Sequence, residues 1–353
     1  MAYTGVNKST DFQNNITYQG TNGAQTKNVG MQPDWQWTKT VQPDTGSSAE
    51  HMLVDSVRGV TKTIVTNSAN LESTISNGLT AFSSTGYTFG NNDRYTSASN
   101  SFVSWNWKAG TAVSGNTSGS GTYKTYTGSV NTTSGFSIIR YQGNGTAGHT
   151  IPHHLGKKPD MIIVKALSTN DDWMVFHQAM GPTKFMILNS NTNEASGTQW
   201  NNTEPTSSVF SIGANNNMNQ NNNYFVAYCF TNTPGFSFAG QYTGNANADG
   251  PFCYTGFAPK WVMLKRMDSS GYSWQIMDAA RNNTNQVTSL LKAEVFNPQQ
   301  DPSDVKSFYS NGFKIDNAAA ENNADFYSAG GRFLYIAFGQ TLVGTNNVPN
   351  KAT

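Results

Sequence analysis

The sequence predicts an all-β fold made of three tandem β-sandwich (jelly-roll-like) repeats with at most short helices. One observation behind this prediction is an ordered set of motifs that recurs three times along the chain. Another is that short runs of alternating apolar residues lie between clusters of glycine, asparagine and proline, which is typical of strands and turns. The recurrence interval, roughly 100 to 125 residues, is too long for a solenoid unit and suits a whole small domain.

Three motifs define each repeat. The first is a Tyr-x-Gly turn, which begins at Tyr18, Tyr141 and Tyr242. The second is a strand that starts with proline and ends with lysine, at residues 33–39, 159–165 and 259–265. The third is a closing strand of alternating aromatic residues, at 102–107, 225–230 and 333–338. Their fixed order predicts that each repeat folds in the same way.

The same motifs set the expected boundaries. Repeat 1 is assigned to residues 1–110, repeat 2 to 124–231 and repeat 3 to 232–353. Residues 111–123 are rich in Gly, Ser and Thr and predict a flexible linker on which repeat 1 can hinge. The best helical pattern is at 283–296, and a helical turn is expected at 69–75 in the equivalent part of repeat 1.

Composition excludes several classes of partner. With 22 basic and 21 acidic residues and a net charge of +1, the chain lacks the field that concentrates nucleic acid. No apolar run is long enough to span a bilayer, so membrane insertion is not expected. The first ten residues lack the basic and apolar regions of a signal peptide. Cys229 and Cys253 are expected to be buried free thiols, with a disulfide between them as the alternative.

Few residues are arranged for catalysis. His149, His153 and His154 form an H-x-x-x-H-H cluster, but a structural zinc site needs four ligands and no further ligands lie at a useful spacing. The glutamates and aspartates are scattered singly, whereas glycoside hydrolysis needs two carboxylates on one concave surface. No nucleophile elbow or phosphate-binding loop is present in the sequence. The prediction is a protein that is not an enzyme and that uses no metal or cofactor.

Aromatic residues carry two different predictions. The Trp-x-Trp pairs, Trp35 with Trp37 and Trp105 with Trp107, place both rings on one face of a strand and are expected in the core. Trp200 stands in a polar loop with Asn201 and Asn202, where an exposed ring could stack on a sugar. The alternative is that Trp200 tucks back onto its own domain. A second candidate glycan loop is the asparagine-rich run 215–223, in which Asn217 and Asn219 are the candidate contacts. The alternative is that this run is only a hairpin tip.

Several motifs together resemble a family of marine bacteriophage, including cyanophage, virion proteins. The run at 148–181 contains a Pro-His-x-Leu-Gly loop, then a Pro-Asp strand ending in Val-Lys, then a strand with a tryptophan. Repeat 1 contains SVRG at 56–59, GYTFG at 86–90 and WNWKAG at 105–110, in that order. Repeat 3 has MDAARN at 277–282 in place of the SVRG segment, and repeat 2 has Met180 followed by Gly181 there.

This resemblance implies a location in the virion, with assembly in the host cytoplasm and release on lysis. The expected function is that of a structural virion protein, a tail fibre or tail-tip component that binds the host through multivalent non-covalent contacts. The expected partners are other virion proteins, further copies of the chain in a homo-oligomer, and a host surface glycan. A capsid decoration or head-fibre protein is the alternative, and a polysaccharide depolymerase is a third possibility.

Overall fold

A computed structural model describes residues 4–42, 50–282, 285–299, 306–324 and 331–341 of the 353-residue chain. The prediction of an all-β fold is confirmed: the described residues form antiparallel sheets, with one short 3-10 helix at Ser9–Asp11 and three single-turn helices. These helices are α1 (Asp93–Thr96), α2 (Asn216–Asn219) and α3 (Ala320–Asn323). Each repeat pairs one large sheet with one small sheet.

Repeat 1 contains β1 to β9. Their bounds are β1 Gln13–Gln19, β2 Gln25–Asn28, β3 Trp35–Gln42, β4 His51–Asp55, β5 Lys62–Val65, β6 Ser73–Thr74, β7 Leu79–Ser83, β8 Gly86–Phe89 and β9 Ser101–Trp107. The large sheet has the order β1-β9-β3-β4-β5-β6, and the small sheet has the order β2-β8-β7. The first and last strands of the repeat therefore lie side by side.

Repeat 2 contains β10 to β20. Their bounds are β10 Thr111–Asn116, β11 Ser118–Gly119, β12 Thr125–Asn131, β13 Phe136–Gln142, β14 His149–Pro152, β15 Met161–Ala166, β16 Met174–His177, β17 Lys184–Ile187, β18 Ala195–Ser196, β19 Val209–Ile212 and β20 Tyr224–Phe230. The large sheet has the order β10-β12-β13-β20-β15-β16-β17-β18, and the small sheet β11-β14-β19. From β13 onward the large sheet repeats the strand order of repeat 1.

Repeat 3 contains β21 to β29. Their bounds are β21 Ser237–Thr243, β22 Phe252–Tyr254, β23 Phe257–Arg266, β24 Gln275–Asp278, β25 Gln286–Val287, β26 Leu291–Lys292, β27 Lys306–Tyr309, β28 Gly312–Ile315 and β29 Arg332–Thr341. The large sheet has the order β21-β29-β23-β24-β26, and the small sheet β22-β28-β27-β25. The three large sheets thus share one topology.

The recurring motifs have a common structural role. In each repeat the tyrosine of the Tyr-x-Gly turn stacks on the first phenylalanine of the closing strand, and its hydroxyl donates to a backbone carbonyl of the single-turn helix. The hydroxyl-to-carbonyl pairs are Tyr18 to Tyr95 (3.0 Å), Tyr141 to Met218 (2.8 Å) and Tyr242 to Asn322 (2.7 Å). The stacked rings are Tyr18 on Phe102, Tyr141 on Phe225 and Tyr242 on Phe333. The motif therefore joins the start, the helix and the end of each repeat.

The glycine of this turn is required by close packing. An ideal Cβ at Gly20 would lie 1.9 Å from the carbonyl oxygen of Ser97, and at Gly244 it would lie 2.0 Å from that of Ala324. At Gly143 the corresponding distance to the carbonyl oxygen of Gln220 is 2.5 Å. Backbone atoms of the helical segment fill the space that any side chain would need, so the third position of the motif must be glycine.

The central strands of each large sheet are buried on both faces. In β3, Trp35 and Trp37 point away from the sandwich of repeat 1, and Gln36 points into it. The inward faces of repeats 1, 2 and 3 each form their own apolar cluster with the small sheet of that repeat. The opposite faces of all three large sheets merge into one further core that includes seven of the eight tryptophans. Because both faces of these strands are covered, apolar residues occur at successive positions and do not alternate with polar residues.

The tryptophan pairs lie where the sequence places them. Trp35 pairs with Trp107, and Trp37 with Trp105, across β3 and β9, with ring centroids 4.5 Å and 5.3 Å apart. All four are buried, which confirms the prediction of a core role. Their packing partners extend beyond repeat 1, since Trp35 also contacts Tyr228 of repeat 2, with centroids 5.0 Å apart, and Trp107 contacts Phe338 of repeat 3, at 5.5 Å.

Four local expectations were wrong. Residues 111–123 are not a flexible linker, because β10 pairs with β12 along six residues and extends the large sheet of repeat 2. Of the segment 283–296, residues 285–296 are described, and they carry β25 and β26 and not a helix. The segment 69–75 carries β6 and not a helical turn. In each case pairing with an adjacent strand overrides the local propensity. Repeat 1 is also not hinged, since its tryptophans are packed against both other repeats.

Candidate functional site

The predicted glycan loop does not present its tryptophan. Trp200 is 1% exposed and lies in the sandwich core of repeat 2. Its ring contacts Phe176 and Phe210 edge-on, with centroids 5.6 Å and 6.4 Å away. The expectation of an exposed stacking surface at Trp200 was wrong, because the apolar area of an indole is better buried between the two sheets than left in water.

The four predicted asparagines are not gathered into one site. Asn201 and Asn202 lie near the surface in a turn with φ of 51° and 49°, a left-handed conformation that asparagine tolerates. Asn217 is half-buried beside the sulfur of Met174, 3.4 Å from its Nδ2. Asn219 is fully buried, so its assignment as a glycan contact was wrong.

Asn219 instead closes the Tyr-x-Gly turn of repeat 2. Its Oδ1 accepts from the backbone N–H of Asn144 (2.9 Å), and its Nδ2 donates to the carbonyls of Thr146 (2.9 Å) and Gly213 (2.8 Å). Asn323 makes the matching bonds in repeat 3 to Asn245 and Asn317. A fully bonded, buried amide of this kind holds two loops together.

The three clustered histidines each have a different partner. His149 lies between Asn219 and Thr117, His153 faces the carbonyl of Thr206, and His154 contacts the hydroxyl of Tyr126. Burial lowers the pKa of His153 to about 4 and also lowers the pKa values of His149 and His154. Within the described ranges, no group of three or more His, Cys, Asp or Glu side chains is placed to hold a metal ion.

Both cysteines are buried free thiols, as expected. Burial raises the pKa of Cys229 to about 12 and also raises that of Cys253. A thiol is reactive as its thiolate, so neither side chain is poised for nucleophilic chemistry. In the part of the chain that the structure describes, no helix is long and apolar enough to cross a membrane.

Several buried charged and polar side chains lie at the junctions between repeats. The lysine that ends the proline-to-lysine strand is fully buried in every repeat. Its Nζ donates to a carbonyl of another repeat. The pairs are Lys39 to Phe296 (2.8 Å), Lys165 to Ala69 (3.1 Å) and Lys265 to Asn191 (3.3 Å). Repeat 1 thus bonds to repeat 3, repeat 2 to repeat 1 and repeat 3 to repeat 2, which closes a cycle.

Burial changes the ionisation of these lysines. It lowers the pKa of Lys39 to about 7 and those of Lys165 and Lys265 to about 8. Lys165 and Lys265 also donate to carbonyls of their own repeats, at Asp171 (2.8 Å) and Tyr272 (2.6 Å). A lysine side chain with a carbonyl partner on each side of a junction fixes the position of one repeat against the next.

A second cyclic set uses ring N–H groups. The residue that faces the lysine across the sheet donates to the neighbouring repeat through an indole or imidazole nitrogen. The pairs are His51 to the carbonyl of Lys292 (2.9 Å), Trp173 to that of Val65 (3.1 Å) and Trp274 to that of Ile187 (2.9 Å). The direction of the cycle is the same as for the lysines. His51 donates through Nε2 because its Nδ1 accepts from the indole N–H of Trp37 at 3.0 Å.

A third set involves Asp55, His177 and Asp278, which end equivalent strands and pair in register with Trp35, Met161 and Trp261. The hydroxyl of Tyr228 in repeat 2 donates to Asp55 at 2.7 Å, and the indole of Trp105 in repeat 1 donates to Asp278 at 2.9 Å. His177 bonds to the carbonyl of Tyr335 in repeat 3 at 3.2 Å. Every junction therefore has one such bond. Here the residue of repeat 1 bonds to repeat 2, that of repeat 2 to repeat 3 and that of repeat 3 to repeat 1, so this cycle runs in the opposite sense to the cycles of the lysines and the ring N–H groups.

In repeats 1 and 3 the carboxylate at this position is paired with arginine. Arg58 Nε lies 2.5 Å from Asp55 Oδ2, and Arg281 Nε lies 2.6 Å from Asp278 Oδ2, with all four side chains buried. Each arginine also donates to the backbone carbonyl of the residue two positions before its aspartate, Leu53 or Ile276. The opposite charge of Asp55 raises the pKa of Arg58 despite its burial. Burial raises the pKa of Tyr228, so its hydroxyl is a donor.

Repeat 2 replaces this ion pair by neutral groups. His177 Nδ1 accepts from the backbone N–H of Ala179 at 3.1 Å, the contact that Asp55 Oδ1 makes with Val57. The Nε2–H of His177 then donates across the junction, whereas the carboxylates accept. Burial lowers the pKa of His177 to about 4, so the ring is neutral at neutral pH. Met180 stands where Arg58 and Arg281 stand, because a neutral imidazole needs no counter-ion.

These groups can hold repeats together, but they face one another inside the protein and not a substrate. Sequence reasoning missed them, although aligning the repeats places Asp55, His177 and Asp278 in one column. The sequence shows that repeats 2 and 3 differ from repeat 1 at the SVRG segment, but it does not show that Asp55 is buried beside Arg58. A charged residue at the end of an otherwise apolar run was the available signal.

The fold and its junctions define a class of protein: a three-repeat β-sandwich body closed on one shared aromatic core by cyclic contacts. The chain belongs to the family described as a domain of unknown function, DUF7483, whose model matches residues 8–341. The match covers all three repeats, so the family model describes the closed body and not a single sandwich. No curated protein and no solved structure matches the chain.

Proposed function

We propose that this protein is a structural bacteriophage virion component, a tail fibre or tail-tip protein that binds the host surface by multivalent non-covalent contacts. The resemblance of the repeat motifs to marine phage virion proteins supports the location. The observation that carries the role is the cyclic closure of three repeats on one core, which fixes three similar sandwiches in one rigid body.

Rigidity favours multivalent binding. Weak sites on a rigid body engage a repetitive surface without the entropy loss of ordering a linker, so their contributions combine as avidity. The outer surfaces are also suited to this role, since the chain is only 12% charged and binding through neutral groups depends little on ionic strength. Copies of the chain in a particle would multiply the effect.

Two measurements on the virion test the proposal. Quantitative mass spectrometry of purified particles should find the chain at a low copy number, and adding the purified protein to host cells should reduce phage adsorption. Heat-denatured protein at equal mass is the matched control and should not compete. Hundreds of copies per particle would assign the chain to capsid decoration, and absence from the particle would refute a virion role.

A third measurement separates binding from catalysis. The purified protein should leave the number of reducing ends of host polysaccharide unchanged over hours, because binding alone breaks no glycosidic bond. Release of new reducing ends would identify a depolymerase and overturn the proposal of a non-enzymatic component.

A further inference from the structure

The small sheet of repeat 3 exposes an unusual group of aromatic residues. Phe252, Tyr254 and Tyr309 are 46%, 63% and 41% exposed. Phe252 and Tyr254 alternate with buried Cys253 on β22, and Tyr309 lies on β27, with β28 between the two strands. The three side chains lie on the outer face of the sheet, because residues opposite each other in an antiparallel sheet share a face. We call this surface the aromatic face.

The aromatic face has a defined centre. Gly312 of β28 pairs with both Tyr254 and Tyr309, so the two tyrosines flank a position without a side chain. The ring of Phe252 leans across it, since an ideal Cβ on Gly312 would lie 2.7 Å from Phe252 Cζ. Phe252 and Tyr309 meet edge-on with centroids 5.8 Å apart. The result is an apolar floor at Gly312 that the two tyrosines flank and the ring of Phe252 covers.

Charged groups border this floor. Lys314 pairs with Phe252 across the sheet and makes ion pairs with Asp249 and, at 3.5 Å, with Asp316. Ser307 donates to Asp316 at 2.5 Å. The ion pair with Lys314 lowers the pKa of Asp249, which keeps its carboxylate charged. Two carboxylates and one ammonium form a polar border that accepts and donates hydrogen bonds.

The other repeats show that the fold does not require these aromatics. In repeat 1 the positions of Phe252, Tyr254 and Tyr309 are occupied by exposed Thr26, Asn28 and Ser83, with Gly86 in place of Gly312. In repeat 2 the positions of Phe252 and Tyr254 are occupied by Thr150 and Pro152. The small sheets of repeats 1 and 2 thus form with small or polar residues at these positions. Strand pairing therefore does not explain the three aromatic residues of repeat 3.

We propose that the aromatic face of repeat 3 is a carbohydrate-binding site, an inference that rests on the proposed function and names its ligand class. A pyranose ring has an apolar face of C–H groups and a rim of hydroxyls, which matches an aromatic floor bordered by Asp249, Asp316 and Lys314. Carboxylates bind sugar hydroxyls strongly because they accept charge-assisted hydrogen bonds. Nucleic acid fits poorly, since the single cation of the border is already neutralised by two carboxylates.

The test compares three proteins on an array of bacterial surface polysaccharides and oligosaccharides. The triple variant Phe252→Thr, Tyr254→Asn, Tyr309→Ser gives repeat 3 the residues of repeat 1, so it is expected to fold. The matched control is Tyr123→Ser, which removes a tyrosine that is 61% exposed at another site. Calorimetry then measures the affinity for the glycan that binds best.

The wild-type protein and the Tyr123→Ser control should bind the same glycans, and the triple variant should bind roughly tenfold or more weakly because each ring contributes stacking. Unchanged circular dichroism and Tm in the triple variant exclude misfolding. Equal binding by the triple variant, or no binding by the wild type, would overturn the inference. So would a concentration-dependent dimer that only the triple variant loses, since this would assign the face to a second copy. These outcomes leave the virion copy number untouched, so they are distinguishable from failure of the proposed function.

Discussion

The junction contributed by repeat 2 differs from those of repeats 1 and 3 in one chemical respect. Asp55 and Asp278 accept a hydrogen bond from the neighbouring repeat and are neutralised by arginine, while His177 donates one and has Met180 beside it. All three keep a bond to the backbone N–H two residues later, which fixes the side chain. The comparison teaches that each junction keeps a hydrogen bond at this position. The side chain can be a charged acceptor or a neutral donor, provided that arginine accompanies the aspartate and an uncharged residue accompanies the histidine.

The largest loss of stability is expected when the aspartate of a buried aspartate–arginine pair is removed and its arginine is left in place. Asp55→Ala removes the acceptor for Tyr228 and leaves the Arg58 guanidinium buried with reduced compensation. We expect the free energy of unfolding to fall by about 3–5 kcal/mol, which is the range for breaking a buried ion pair. Urea denaturation followed by tryptophan fluorescence measures the change.

The control for this prediction is Glu204→Ala, which breaks the exposed ion pair with Lys158. Exposed pairs contribute little, so the loss should be below about 1 kcal/mol. Equal losses in the two variants would contradict the view that Asp55 is coupled to a buried charge. A single transition is expected in both, because the three repeats share one core.

Acid should weaken the junction at which His177 bonds to repeat 3. The pKa of His177 is lowered to about 4 in the folded protein, below the ordinary value of 6.5. As pH falls from 6.5 to 4 the unfolded chain takes up the proton first, so the stability contributed by neutral His177 is present above pH 6.5 and declines through this window. Between pH 7 and pH 5 the decline attributable to this group is about 2 kcal/mol.

His177→Gln isolates this contribution, because glutamine keeps an acceptor for Ala179 and a donor for Tyr335 but does not titrate. The variant should lose about 2 kcal/mol less than the wild type between pH 7 and pH 5. His51 and His153 remain in both proteins, and their pKa values are also lowered, so their effects cancel in the difference. Identical pH profiles would show that His177 is not the sensitive group.

Exchange of the whole pair tests whether the two kinds of junction are equivalent. Asp55→His with Arg58→Met gives repeat 1 the pair of repeat 2, and the Tyr228 hydroxyl can reverse from donor to acceptor. The cost should be about 1.5 kcal/mol, well below that of Asp55→Ala, because the two fully buried charges of Asp55 and Arg58 are removed together. The residual cost reflects the carbonyls of Leu53 and Lys62 and the partly buried carboxylate of Glu72, which lose their arginine partner. A double variant less stable than Asp55→Ala would refute the coupling.

How far the sequence predicts this structure depends on the range of the interaction. The strands, the core position of Trp35 and Trp37 and the fixed geometry of the Tyr-x-Gly turn follow from local pattern and internal repetition. Trp200 was misplaced because a polar loop does not reveal that its ring turns inward between two sheets. The cyclic junctions could not be predicted, since the contacts of Lys39 and Asp55 join residues more than 170 positions apart.

The smallest change in stability is expected from the buried junction lysine, which all three repeats share. Burial lowers the pKa of Lys39 to about 7, while the unfolded value is near 10.4, so between these values the unfolded state holds the extra proton and stability rises with pH. From pH 7 to pH 8 the rise due to this group is about 1 kcal/mol. Lys39→Met should flatten the profile by that amount and keep the aliphatic packing, while Lys62→Met, at a lysine bonded to Thr74 on the surface, should leave the slope unchanged. A wild-type slope that persists in Lys39→Met would mean that Lys39 keeps its proton in the folded protein, and that its bond to Phe296 is made by an ammonium group throughout this range.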